Sequence, residues 1–153
     1  MRTIYTICIA LVLVATLACS KEKKLNNRLS GNTWNIDKIE WVKTETSISG
    51  FGYSEGTTNN AGTFTFEEST GTSTMTIDDE TEDNASFSWD VASDGSQLDM
   101  TYDLTIVGTT VNQRTMVIEE NKSKKQMWVL TEQRVDGAAG TTYQLVAEIT
   151  LSR

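Results

Sequence analysis

The side chains that most suggest chemistry form an acidic run, Asp78-Asp79-Glu80-Thr81-Glu82-Asp83. Carboxylate oxygens at this density are the ligands that Ca²⁺ prefers. The run lacks the Asp-x-Asp-x-Asp-Gly spacing of a calcium loop, and acidic connections between strands are usually only solvated. We therefore predict no metal site, and the sequence leaves open whether this run binds a cation.

Two further pairs of carboxylates, Glu67-Glu68 and Glu119-Glu120, are adjacent in the chain. Neighbouring side chains on a strand point to opposite faces, so neither pair forms an acid/base dyad. The chain has no His, and no Gly-x-Ser-x-Gly, Walker or Ser-x-x-Lys motif occurs in it. We predict a protein without catalytic residues or cofactor, and therefore not an enzyme.

Length and charge narrow the function further. At 153 residues, one domain is expected. The net charge of −8 argues against nucleic acid as a partner, because binding it requires clustered Lys and Arg.

The amino-terminal segment indicates where the protein is located. Arg2 precedes an uncharged apolar run over residues 4–18, which is too short to span a bilayer but suits a signal peptide. The run ends Ala15-Thr16-Leu17-Ala18-Cys19, which resembles the lipobox of bacterial lipoproteins. That resemblance implies cleavage before Cys19, diacylglycerol on its thiol, and acylation of the new amino terminus with a fatty acid such as palmitate. The alternative is ordinary cleavage near Ala18, which would leave a free thiol.

The resemblance also implies an address and a set of boundaries. Ser20 after the cysteine is similar to the outer-membrane signal of such lipoproteins, and Lys21-Glu22-Lys23-Lys24 is not the acidic run that directs some of them to the cell surface. We expect an outer-membrane lipoprotein of the cell envelope, more on the periplasmic than on the outer side. The expected boundaries are a signal peptide over 1–18, a polar tether over 19–29 with a short helical turn near Leu25 to Leu29, and a β domain over 30–153.

The rest of the chain alternates between apolar and polar residues with period two. This pattern predicts eight strands of about 5–10 residues, and no helix of useful length. Within the first strand the apolar phase changes between Ile36 and Ile39, which predicts a β-bulge near Lys38.

Two hairpins can be aligned from their turn residues. Asp94-Gly95 predicts a two-residue type I′ turn, which pairs Val91 with Leu98, Trp89 with Met100, and Phe87 with Tyr102, and sets Asp90 opposite Asp99.

The second hairpin turns at residues 121–124. Alignment there pairs Ile118 with Met127 and Met116 with Val129, and places Val117 and Trp128 on the other face. This strand pair would be apolar on both sides, which fits either a second small cluster or a docking surface.

Eight strands in hairpin order predict a closed, antiparallel up-and-down β-barrel, which leaves no exposed edge. The opening Leu29-Ser30-Gly31-Asn32-Thr33-Trp34 resembles the start of the bacterial lipocalin-like lipoproteins, as do Gly62-Thr63-Phe64-Thr65-Phe66 and the segment from Phe87 to Leu98. The resemblance implies a small barrel with Trp34 at its floor and an interior able to hold an apolar ligand. The competing fold is a β-sandwich, which would not bring the first strand beside the last.

Two functions remain open. In the first, the barrel binds a small apolar or amphipathic ligand, and the candidate ligand-binding residues are Phe51, Tyr53, Phe64, Phe66, Trp89, Met100 and Tyr102. Phe51 and Tyr53 belong to segment 43–61, which is rich in Gly, Ser and Thr. This composition is compatible with a lid over the barrel mouth, a loop packed on the rim, or a strand that the pattern does not reveal. In the second, the bulky inward residues fill the core, and the protein is a structural or protein-interaction module whose partner is unidentified.

Overall fold

The computed structural model describes residues 21–47, 50–77, 80–106, 109–136 and 141–153. Helix α1 covers residues 21–29 and is followed by strands alone. The strands are β1 (Asn32–Ser47), β2 (Gly50–Phe66), β3 (Thr70–Ile77), β4 (Glu80–Val91), β5 (Gln97–Ile106), β6 (Thr109–Asn121), β7 (Lys125–Asp136) and β8 (Thr141–Ser152).

The eight strands close into one antiparallel up-and-down barrel in which each strand pairs with its neighbours in the chain. Closure is made by β1 and β8, where Ile39 lies opposite Ile149 and Trp41 opposite Ala147. The predicted barrel is confirmed, and a sandwich is excluded because the first and last strands are paired.

A β-bulge between Ile36 and Lys38 shifts the register of β1 against both of its neighbours. The bulge lets residues of both phases face inward, so Ile36 and Ile39 are both buried. The hydroxyl of Ser152 donates to the carboxylate of Asp37 in the bulge, at 2.8 Å. The predicted change of phase is thereby confirmed.

Helix α1 closes one end of the barrel, here called the floor. Leu25 and Leu29, one helical turn apart, are fully buried in the common core. The guanidinium of Arg28 donates to the backbone and side chain of Asn121 in the β6–β7 turn. Residues 21–29 are thus packed into the domain, in contrast to the tether expected over 19–29. The helix is longer than the expected turn because its leucines find a buried surface beneath the strands.

Aromatic side chains fill the half of the barrel next to the floor. The ring of Phe66 lies 5.4 Å from that of Phe87 and 5.3 Å from that of Trp89, and the ring of Phe64 lies 5.6 Å from that of Trp128. Edge-to-face and tilted contacts of this kind stabilise a core beyond the area that they bury. This half of the barrel is a packed interior.

At the opposite end, here called the mouth, neighbouring strands separate. Among the described residues, the β2–β3 ladder ends at Gly62 opposite Met75 and the β4–β5 ladder at Phe87 opposite Tyr102. The β6–β7 ladder ends in the same way at Met116 opposite Leu130. In the described part of the mouth half the strands form three ribbons, β7-β8-β1-β2, β3-β4 and β5-β6, which are joined into one barrel toward the floor.

The first predicted hairpin has the expected register. Trp89 lies opposite Met100, and Asp90 lies opposite Asp99. The turn is longer than predicted: the amide of Gly95 donates to the carbonyl of Ala92 at 2.7 Å, and only Gly95, with φ +68°, takes the left-handed conformation. The register survives because the additional turn residues are added symmetrically.

The register predicted for the second hairpin is wrong. A bulge between Ile118 and Glu120 shifts the pairing, so Ile118 lies opposite Trp128 and Val117 opposite Val129. Trp128 consequently faces the core and is fully buried. Trp128 therefore lies on no outer surface, and the docking surface predicted from its outward position is wrong.

Of the three interpretations of segment 43–61, the strand is confirmed for the described part, and the lid and the loop on the rim are wrong. Residues 43–47 belong to β1 and residues 50–61 to β2, and the two strands pair along this whole length. Phe51 and Tyr53 face outward from this hairpin and are 71% and 60% exposed. Pairing with β1 turns a glycine-rich sequence of low strand propensity into a strand.

Within the part of the chain that the structure describes, no helix has the length and apolar character needed to cross a membrane.

Candidate functional site

A cavity of about 470 Å³ lies at the side of the barrel, where the β4–β5 ladder ends. We call it the lateral cleft. The inward-facing Phe87 and Tyr102 form its base, and Glu67 is also among its lining residues. Its rim carries hydroxyl side chains from three neighbouring strands, namely Thr70, Thr72, Ser86, Ser88 and Thr101.

Strand alternation explains this composition. Thr70 lies opposite Ser88, and Ser88 opposite Thr101, so three hydroxyl side chains form one row across β3, β4 and β5. Residues two positions away along a strand lie on the same face, and Thr72 opposite Ser86 forms the next row. At the cleft the outer face of these strands carries uncharged hydroxyls, with the opposed carboxylates of Asp90 and Asp99 two residues further along β4 and β5, whereas the inner face is aromatic.

Gly71 lets the ring of Phe87 approach β3 closely. A Cβ atom at this position would lie 2.4 Å from Cζ of Phe87 and 2.4 Å from the carbonyl oxygen of Thr65. Glycine is the residue that allows such an approach, because any side chain would displace the ring or the neighbouring strand. The position of the base of the cleft thus depends on the absence of a side chain at residue 71.

Hydrogen bonds fix the rim at Thr70. The indole N–H of Trp89 donates to the carbonyl of Thr70 at 3.0 Å, and the hydroxyl of Thr70 donates to Glu67 at 3.1 Å. These bonds join the β2–β3 turn to β4 on one side of the cleft. A rim held in this way is preorganised, which lowers the entropic cost of binding.

Two buried charged side chains lie inside the barrel, behind the base of the cleft. The guanidinium of Arg114 lies 5.0 Å from the ring centre of Tyr102, and its Nε is 3.6 Å from a carboxylate oxygen of Glu132. The two charged side chains are 1% and 7% exposed, respectively. The Tyr102 hydroxyl donates to the sulfur of Met100 at 3.8 Å. Tyr102 therefore separates the lateral cleft from a desolvated ion pair inside the barrel.

Lys43 of β1 lies on the inner face nearer the mouth. Its ammonium nitrogen is 5.5 Å from the ring centre of Tyr143 on β8. Cation–π contacts of this kind hold a charge beside an aromatic wall. The inner surface changes from aromatic at the floor to mixed charged and aromatic toward the mouth.

The residues predicted to bind ligand fall into three places. Phe64, Phe66, Trp89 and Met100 are packed in the floor half, each at most 8% exposed. Tyr102 lies at the base of the lateral cleft.

Phe51 and Tyr53 form the third group, on the outer face of β2. The Tyr53 hydroxyl donates to the carboxylate of Glu55 at 2.5 Å, and this hydrogen bond raises the pKa of the tyrosine. These two residues are not brought together with the other five. Cys19, the predicted point of lipid attachment, lies outside the described residues.

Sequence reasoning missed the hydroxyl rim, Arg114 and Glu132. A signal was present: Arg114 precedes Met116 by two residues, and Glu132 follows Leu130 by two, so each continues an inward phase. Charged residues in such a pattern are normally assigned to the solvent side. Correct assignment requires the register of β6 against β7, which the bulge conceals.

The lining of the lateral cleft is chemically suited to binding. The described part of the chain contains no group of three or more His, Cys, Asp or Glu placed to hold a metal ion. Asp78 and Asp79 of the acidic run lie outside it. The neutral hydroxyls of the rim can donate and accept hydrogen bonds, and the rings beneath them offer an apolar surface.

The sequence matches no protein-family model and no curated protein. The fold is similar to that of a lipocalin-like protein from Bacteroides uniformis, with 10% identity and a TM-score of 0.39, covering 77% of this chain and 96% of that one. An uncharacterized protein from Bacteroides eggerthii has 12% identity and a TM-score of 0.42, covering 82% of this chain and 99% of that one. At these identities the likeness concerns the fold alone.

Proposed function

We propose that the protein is a lipid-anchored lipoprotein of the cell envelope that binds a small amphipathic ligand in its lateral cleft, without catalysing a reaction. The observation that carries this proposal is the cleft itself, about 470 Å³ in volume, with Phe87 and Tyr102 beneath a rim of hydroxyls. Ligand sites in proteins typically have volumes of about 300–1,000 Å³ and combine apolar walls with a few polar groups.

The chemistry of the cleft favours an amphipathic ligand over a purely apolar one. An apolar part of the ligand would contact the parts of Phe87 and Tyr102 that reach the cleft, each residue being 3% exposed, while its uncharged polar groups would bond to side chains such as Ser86 and Thr101. Glu67 at one edge disfavours an anionic group at that position. The packed floor half leaves no room for the ligand in that part of the barrel interior.

Native mass spectrometry of the chain over residues 19–153, with Cys19→Ala, tests the proposal. We expect a co-purifying or added amphipathic molecule of a few hundred daltons that is released on denaturation. Ser86→Trp places an indole on the cleft rim and should abolish binding. Thr131→Trp, at an exposed outward position on β7 away from the cleft, is the matched control. Binding that is lost equally in both variants, or in neither, would count against the cleft as the site.

Lipid attachment at Cys19 is tested separately. Intact-mass analysis of the protein from bacterial membranes should show cleavage before Cys19 together with diacylglycerol and acyl chains such as palmitate. The Cys19→Ala protein should leave the outer-membrane fraction, because a lipid anchor is the proposed means of attachment. Undiminished fractionation of that variant with membranes would argue for another mode of attachment.

A second candidate function, protein interaction, is favoured by Phe51 and Tyr53. Both are large, exposed and on the same outward face of β2, and beyond Gly62 the described part of β2 has no ladder with β3. An exposed strand edge beside aromatic side chains suits the addition of a partner strand. Phe51→Ser with Tyr53→Ser should abolish capture of an envelope protein while leaving binding of a ligand in the cleft unchanged. Val42→Ser with Val146→Ser is a control on another part of the outer face.

A further inference from the structure

Basic side chains gather on α1 and beside the β6–β7 turn at the floor end of the barrel, where the acidic residues Glu22, Glu67, Glu68 and Asp94 also lie. Lys21, Lys23 and Lys24 are exposed on α1, and Lys124 and Arg153 are exposed beside the β6–β7 turn. We call these five residues the basic face. The protein as a whole carries a net charge of −8, so the face is a local exception to the charge of the molecule.

The geometry of α1 directs this face away from the barrel. Leu25 and Leu29 point into the core, which places Lys23 on the opposite side of the helix. Lys24 lies one turn before Arg28 and on the same side, and Arg28 is bonded to Asn121 in the β6–β7 turn. The helix and this turn therefore present their lysines together.

The turn contributes the remaining residues. The amide of Arg153 donates to the carbonyl of Lys124 at 3.4 Å, and the Arg153 guanidinium lies 5.4 Å from the ring centre of Trp34. Lys122 and Lys125 in the same turn form ion pairs with Glu120. These ion pairs partly neutralise one edge of the turn, and Asp94 interacts electrostatically with Lys21, so Lys23, Lys24 and Lys124 are the main positive side chains of the face.

The first residue of α1 lies at the same end of the barrel. The backbone of Lys21 lies against Gly95, where a Cβ atom would be 2.8 Å from the carbonyl carbon of Lys21. Residue 19 precedes residue 21 by two positions, a span of at most about 7 Å. A lipid on Cys19 would hold the floor end, with the basic face, against the membrane surface.

From the placement of these residues we infer that the basic face docks onto anionic lipid headgroups, so that the barrel stands on its floor with its mouth directed away from the bilayer. Each Lys close to an anionic surface strengthens the attraction, and a lipid anchor combined with a basic patch binds more firmly than either alone. Glu45, Glu55 and Asp83 lie on the mouth half of their strands, where an anionic surface would repel them. The barrel is roughly 30 Å tall, so its mouth would lie well beyond the headgroups.

Vesicle sedimentation tests the inference without the lipid anchor. The chain over residues 19–153 with Cys19→Ala keeps every described core residue, since these run from Leu25 to Leu151. We expect it to sediment with phosphatidylcholine vesicles containing phosphatidylglycerol at low salt, and to be released at high salt. Pure phosphatidylcholine vesicles should not retain it.

Charge variants identify the face. Lys21→Gln, Lys23→Gln and Lys24→Gln together should lower the partition coefficient on the order of tenfold or more. Lys23→Gln alone should weaken binding, whereas Lys38→Gln, which makes the same change of charge on the barrel wall, should have little effect. Absence of binding, binding to neutral vesicles, or equal effects of Lys23→Gln and Lys38→Gln would overturn the inference.

The inference depends on the proposed function only for the position of the anchor. Because the vesicle test uses Cys19→Ala, its failure would concern the basic face alone. Failure of lipid attachment would instead be detected by intact-mass analysis.

Discussion

Arg114 on β6 and Glu132 on β7 form an ion pair inside the barrel, just beyond the point at which the ladder between their strands ends. Both side chains are almost completely buried, and the guanidinium also lies over the ring of Tyr102. The pair links two strands that no longer share backbone hydrogen bonds at this level. Desolvated charges are costly, so such a pair is stable only while both partners are present.

Removing one partner should therefore lower the free energy of unfolding. Glu132→Gln should lower the free energy of unfolding by about 3 kcal/mol, because it removes the carboxylate that lies beside the buried guanidinium of Arg114. Replacing both, with Arg114→Met and Glu132→Leu, should recover most of the loss. Urea unfolding measures both effects.

Glu40→Gln is the matched control, because it breaks an exposed pair with Lys38 at 2.8 Å. We expect it to cost less than about 0.5 kcal/mol. A Glu132→Gln protein as stable as the control would show that the buried pair contributes little.

A side chain at residue 71 should displace the ring at the base of the cleft. Gly71→Ala sets a methyl group against the ring of Phe87 and the carbonyl of Thr65, and should destabilise the protein by about 1–3 kcal/mol. Gly52→Ala is the control, since its nearest neighbour, Cβ of Glu45, would be 3.3 Å away. Thermal unfolding should separate the two variants. Equal stability would mean that Phe87 can move aside without cost.

The sequence predicts the fold well where local and long-range signals agree. At the β4–β5 hairpin, a turn marked by Asp94-Gly95 and three apolar pairs point to a single register. The same alternation predicts the bulge in β1, because no straight strand can bury both Ile36 and Ile39. Closure follows from the number and order of the strands.

Prediction fails where the deciding interaction lies on another strand. Residues 50–61 have the composition of a loop and become a strand only because β1 pairs with them. The lateral cleft exists because the β4–β5 ladder ends at Phe87 opposite Tyr102, and nothing local marks that position. The candidate site was accordingly less predictable than the fold, with only Tyr102 of the predicted residues at the base of the cleft.

The corrected register of β6 against β7 can be tested by cross-linking. Val117 lies opposite Val129, and both face outward. Val117→Cys with Val129→Cys, in the chain over residues 19–153 with Cys19→Ala, should form a disulfide under mild oxidation, because directly opposed Cα atoms lie within disulfide range. Electrophoresis without reductant would detect it.

The control pairs Val117→Cys with Met127→Cys. Met127 faces outward as well, but it lies opposite Glu120, two positions along the strand from Val129. Diagonal neighbours of this kind are about 7–8 Å apart, beyond the reach of a disulfide. Faster cross-linking in the control than in the test pair would overturn the register.

Asp94 in the β4–β5 turn should titrate below its ordinary value of 3.8, because the hydroxyl and amide of Ser96 both donate to its carboxylate. A pKa lowered by folding means that the charged carboxylate stabilises the turn at neutral pH. This stabilisation is fully present above the ordinary pKa and is lost as the pH falls through the lower folded value. NMR titration of Asp94 measures the shift directly. Ser96→Ala should return the pKa toward 3.8, because the Ser96 hydroxyl is its largest cause, whereas Ser93→Ala in the same turn should leave it low. An unchanged titration in Ser96→Ala would assign the shift to the backbone amide and to nearby Lys21 instead.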